Sequence, residues 1–81
     1  MSTLQVEMHP LAASVDFTES ELIISLTDGR SISVPIAWFA SLSTASKEQL
    51  NDWELLGEGE GVHWPQIDED LSVKGLLLGF H

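Results

Sequence analysis

The chain has 81 residues, 43% of them hydrophobic and 20% charged, enough for one small domain and too few for two. Thirteen acidic residues face only Arg30, Lys47 and Lys74, a formal net charge of −10. With no cysteine, a disulfide framework, a cysteine zinc site and a thiol nucleophile are excluded, and the shortage of clustered cations argues against direct binding of DNA, RNA or anionic lipid.

Residues 1–12 carry weak patterning and the helix-breaking Pro10, so they read as a loose arm or a short edge strand. Met1 to Pro10 holds Glu7 and no Lys or Arg, unlike the basic start of a secretory signal. The longest apolar run, Gly75 to Phe80, falls far short of the roughly 18 to 20 residues that span a bilayer. The expectation is a soluble, cytoplasmic chain with no membrane contact.

From Ser14 the pattern becomes alternation, with Val15 and Phe17 on one face and Asp16 and Thr18 on the other. After the polar stretch Thr18–Glu21, residues Leu22, Ile24 and Leu26 share a face. Asp28-Gly29 then supplies two positive-φ turn positions, and Ile32, Val34 and Ile36 alternate beyond it. This predicts a β-hairpin whose second strand lies at an edge or ends at Pro35.

Trp38 and Phe39 are adjacent aromatics that cannot share one strand face, so a helical turn is expected there. Ser46 followed by Gln49 is a capping-box signature, with Ala45 and Leu50 as a hydrophobic staple, and predicts a helix from Lys47 to Asp52 or Trp53. Leu50 and Trp53 lie on its sheet-facing side. A second hairpin is expected from Trp53–Leu56 through the loop Gly57-Glu58-Gly59-Glu60-Gly61 to Val62-His63-Trp64, ended by Pro65. Asp70 or Ser72 can cap a last helix with Val73, Leu76 and Leu77 as its apolar face and Gly79 as its stop.

The predicted fold class is α+β, a single domain with a small antiparallel sheet of 4–5 short strands and two short helices packed on one face. Its expected core is Val15, Phe17, Leu22, Ile24, Leu26, Ile32, Val34, Leu50, Trp53, Val62, Trp64 and Leu76.

Chemistry is scarce. The glycine loop lacks the strand-to-helix setting of a phosphate cradle, and Glu58 and Glu60 would repel an anion. Asp68-Glu69-Asp70 clusters hard-cation ligands, yet the calcium-loop spacing fails, and these acids fit the start of the last helix, where its dipole favours negative charge. His9, His63 and His81 have no metal-ligand spacing. No Gly-x-Ser-x-Gly elbow positions a nucleophile. No catalytic residue, cofactor or metal is expected.

Leu22 to Arg30, Trp38-Phe39, Ser46 to Leu50, Trp53, Val62-His63-Trp64-Pro65 and Ile67 to Ser72 resemble, in order and spacing, the small bacterial proteins catalogued as domain of unknown function 2442. The resemblance covers about Val15 to Leu78. Its most specific parts are Asp28-Gly29 and the run from Trp64 to Ser72. It implies an α+β fold without established enzymatic activity, and genes often set beside a second small protein in toxin–antitoxin-like arrangements. Some members append a helix-turn-helix domain, for which this chain has no room.

The net charge reads in two ways, as solubility or as steering toward a cationic protein. The acids concentrate between Glu48 and Asp70, and three tryptophans with Phe17, Phe39 and Phe80 are a heavy aromatic load for a small domain. Exposed aromatics ringed by charge resemble interface hot spots. The residues expected to meet a partner are Trp38, Phe39, Glu54, Glu58, Glu60, His63, Trp64, Asp68, Glu69 and Asp70. The expected function is a non-enzymatic, antitoxin-like inhibitor that binds a basic protein, as monomer or homodimer. The alternative is a nucleic-acid mimic from a phage or mobile element, of anti-CRISPR or anti-restriction type, occupying a cationic groove.

Overall fold

Alternating apolar residues and one glycine turn build the first half of the chain. In the computed structural model, which describes residues 10–78, strands β1 (Ala12–Phe17), β2 (Glu21–Leu26) and β3 (Ser31–Pro35) form an antiparallel sheet in the order β1-β2-β3. Leu22, Ile24 and Leu26 are buried along β2, as the period of two requires. A bulge between Ala12 and Ser14 shifts the register of β1 against β2 and lets Ala12 and Val15, three apart, share the buried face. Ala12 therefore belongs to the fold and not to a loose arm; residues 1–9 of that arm lie outside the described residues, as do His9, Gly79, Phe80 and His81.

The β2–β3 turn differs from the expected pair of positive-φ residues. Only Gly29 has positive φ, at 96°. Its N–H donates to the Leu26 carbonyl at 3.2 Å, and the Leu26 N–H donates to the Arg30 carbonyl at 2.8 Å, giving a three-residue loop with a glycine bulge. Asp28 contributes through its side chain, which accepts the Arg30 N–H at 3.0 Å and the guanidinium Nε–H at 2.9 Å. Pro35 both ends β3 and lies on an edge strand, where its missing N–H costs nothing.

Ile36–Trp38 is a 3-10 turn and α1 is Ala40–Ser43, the helical change expected at the aromatic pair. The next helix, α2 (Lys47–Asn51), carries the complete capping box: Ser46 accepts the Gln49 N–H at 3.1 Å, and the Gln49 side chain accepts the Ser46 N–H at 2.9 Å. Strands β4 (Glu54–Leu56), β5 (Gly61–Trp64) and β6 (Glu69–Ser72) form a second antiparallel sheet in the order β4-β5-β6, followed at once by α3 (Val73–Leu78). The class is α+β, with two three-stranded sheets in place of one sheet of 4–5 strands.

Asp68, Glu69 and Asp70 do not begin the last helix. Pairing of Glu69 with Trp64 and Asp70 with His63 draws two of them into β6, and Asp68 closes the preceding turn at φ 53°, a conformation Asp tolerates. Ser72 caps α3, accepting the Gly75 N–H at 3.0 Å. Val73 and Leu76 are buried on that helix, whereas Leu77 is exposed.

The two sheets share one core. Trp64 is fully buried, its ring meets Phe17 edge to face at 6.3 Å, and its indole N–H donates to the Leu50 carbonyl at 3.0 Å. Of the expected core, Phe17, Ile32, Leu50 and Trp53 are only partly buried, and Ala12, Ile36, Phe39, Leu42, Leu71 and Val73 join it. The glycine loop between β4 and β5 is a seam and not a slack connection. The Gly59 carbonyl accepts the Ala12 N–H at 2.7 Å, and a Cβ at Gly59 would stand 2.5 Å from the Ala12 carbonyl oxygen.

Candidate functional site

The pleat of the second sheet sorts its side chains into two faces. Leu55, Val62 and Leu71 stand in register and pack inward, while the next row, Glu54, His63 and Asp70, stands on the outer face. Three strands thus bring residues 54, 63 and 70 into one line, with Asp68 in the turn beside it. The His63 side chain is 22% exposed and that of Asp70 is 64% exposed, and Nδ1 of the imidazole is joined to the Asp70 carboxylate. The Asp70 hydrogen bond lifts the histidine pKa above its usual value, opposed by partial desolvation and reinforced by the charges of Asp70, Glu54 and Asp68.

The other expected contact residues scatter. Trp64 and Phe39 are core residues and not the exposed aromatics expected, because a small domain must use its largest rings in its core; Phe39 keeps 6% exposure, at the wall of a groove. Trp38 is 46% exposed and meets Phe39 edge to face at 6.4 Å. Glu69 is half-buried, and its carboxylate accepts the Ser41 hydroxyl, tying β6 to α1. Glu58 and Glu60 lie in the seam loop, Glu60 about 10 Å from His63 at a strand rise of roughly 3.3 Å per residue. The Glu60 carboxylate folds back to accept the Glu58 N–H at 3.0 Å.

Apart from Glu69, every described carboxylate is exposed, and only Asp28 and Asp70 have an ion-pair partner among the described residues. Arg30 holds the Asp28 carboxyl below its usual value by hydrogen bonding. The surface therefore carries much uncompensated negative charge. Among the described residues no group of three or more His, Asp or Glu is placed to hold a metal ion, and no helix is long and apolar enough to cross a membrane.

Sequence reasoning did not find a groove of about 370 Å3 lined by Phe39, Glu69, Asp70, Leu71, Ser72, Gly75 and Leu76. Six of its residues come from the adjoining β6 and α3 and the seventh, Phe39, from about 30 residues earlier, so no local pattern announces it. It exists because β6 passes into α3 without a loop, which sets the helix beside the free edge of the strand.

Two solved structures share this fold. A protein of unknown function from Rhodospirillum rubrum is 37% identical, with 88% of each chain covered and a TM-score of 0.74. An uncharacterised protein from Chromobacterium violaceum is 28% identical with a TM-score of 0.73; the match covers 85% of this chain and 65% of that one. None of the curated proteins matches. The family model described as "Protein of unknown function (DUF2442)" matches residues 12–81, from the bulged start of β1 onward, and the chain belongs to that family.

Proposed function

We propose that the chain is a non-catalytic acidic module that binds a basic protein, acting in the cytoplasm in the manner of an antitoxin. The observation that carries this reading is the exposed, largely unpaired carboxylate surface around the Glu54–His63–Asp70 row. A single exposed ion pair contributes only about 0 to 1 kcal/mol. Many unpaired charges of one sign act together, raising the encounter rate with a cationic surface and disfavouring anionic partners. Leu56, Leu77 and Trp38 are large apolar side chains left exposed on the same small body, and they supply burial once the charges have oriented the complex. The cysteine-free composition accords with a reducing compartment.

The test is capture by the tagged chain from its native host at low salt, with release by a salt step. A small basic protein whose own activity is blocked in the complex is the expected result. A target released by competing nucleic acid, with its nucleic-acid site occupied, would identify a mimic instead. Absence of any salt-released protein would contradict both readings.

A further inference from the structure

We propose that the outer edge of β6, with the groove beside it, seats an extended basic segment of the partner, which adds to the second sheet as a fourth strand. This inference rests on the acidic-module reading and assigns its point of contact.

The groove takes Glu69, Asp70, Leu71 and Ser72 in succession. A strand presents only alternate residues to one face, so a groove lined by consecutive residues runs along an edge. The order β4-β5-β6 leaves that edge without a neighbouring strand. The Val73 N–H donates to the Glu60 carbonyl at 3.0 Å, which sets the phase of the β5–β6 ladder. Alternation then turns the N–H groups of Asp70 and Ser72, and the Asp70 carbonyl, outward. Ser72 is the N-cap of α3, its Oγ accepting the Gly75 N–H at 3.0 Å, and the carbonyl of an N-cap residue serves the first intrahelical bond.

The chemistry of the occupant follows from the two faces. In a strand added to β6, the residue opposite Asp70 stands on the same outer face as Glu54, His63 and Asp70. A Lys or Arg there extends the row with the missing sign, within reach of Asp68 and Asp70. Its two neighbours point the other way, toward the apolar walls made by Phe39, Leu71 and Leu76. Lys74 does not line the groove. The fitting segment therefore alternates basic and apolar residues, and main-chain bonds supply the affinity that side-chain charge alone does not.

The test is a titration of the full 15N-labelled chain with a short synthetic peptide of alternating Lys and Val, against one of alternating Glu and Val. The basic peptide is expected to shift the amides of Glu69 to Leu76 and to slow hydrogen exchange at Asp70 and Ser72. D70P, which removes an outward N–H at an edge position, is expected to weaken it about tenfold, and D70N by less, because it keeps the N–H. Unprotected Asp70 and Ser72 amides in the bound state would overturn strand addition, whether or not D70P folds. Binding confined to the Glu58–Glu60 loop would also overturn it while leaving the acidic module standing. Shifts that grow with protein concentration alone would make a second copy the occupant, against the proposal. No binding of the basic peptide anywhere would overturn this inference and count against the acidic-module reading with it.

Discussion

Gly59 and Ala12 join the two sheets through a backbone bond of 2.7 Å, and the space between them admits no side-chain carbon. Gly59 also has φ 116°, where an L-residue is strained. Gly59→Ala is therefore expected to cost about 2 to 4 kcal/mol, from backbone strain and overpacking together. Gly29 has positive φ with open space around it, so Gly29→Ala is expected to cost only the backbone part, about 1 to 2 kcal/mol. Urea unfolding midpoints of both variants check the difference; equal losses would mean that the seam is not tight.

Trp64 and Trp38 make opposite use of the same side chain. Trp64→Phe leaves the Leu50 carbonyl without its indole donor and a gap under Phe17, and is expected to cost about 2 to 3 kcal/mol. Trp38→Ala, at a residue 46% exposed, is expected to stay within about 1 kcal/mol of the parent. Thermal unfolding of the two variants is the measurement, and a larger loss at Trp38 would contradict the assignment of core and surface.

The legible part of the fold was the part written locally. Alternation from Leu22 to Val34 with a glycine turn specifies a hairpin, and Ser46 with Gln49 specifies a helix start, because each signal spans a few residues. The division into two sheets was not legible, since it depends on which distant strands pair, and alternation is silent on that. Asp68-Glu69-Asp70 misled for a related reason. Acids before an apolar run suit a helix start, but cross-strand pairing with His63 and Trp64 overrides local preference. Of the contact residues, the exposed row of residues 54, 63 and 70 was within reach of a correct register. The burial of Trp64 follows from its alternation with Val62 and was expected, whereas that of Phe39 was not, because an aromatic at an interface and one in a core look alike in sequence.

His63 gives the molecule a pH dependence with a definite sign. Its folded-state pKa is raised by Asp70, so the pair stabilises the fold fully below the unfolded histidine value of about 6.5. That contribution is lost as pH rises through the folded-state value. Unfolding free energy is expected to fall as pH rises from about 6.5 through the folded-state value, and the slope is expected to flatten in H63Q. NMR titration of the imidazole is expected to place its midpoint above that of a free histidine, with a return toward it in D70N. A midpoint unchanged by D70N would contradict the pairing.

Helix caps give a smaller, separable effect. Ser46→Ala removes one half of the capping box on a helix of five residues and is expected to cost about 1 kcal/mol. Ser72→Ala removes the acceptor for the Gly75 N–H and is expected to cost a similar amount at α3. Amide exchange separates them, with faster exchange confined to Gln49 in one variant and to Gly75 in the other.

Steering by exposed carboxylates, as proposed above, makes association with a basic protein depend on salt. The most direct measurement is the association rate with the captured partner across salt, for the parent and for a variant carrying E54K, E58K and D68K. The parent's rate is expected to fall about tenfold or more between roughly 50 and 500 mM salt, and the variant to be slow at every concentration. Rates independent of salt and equal in the two proteins would contradict such steering.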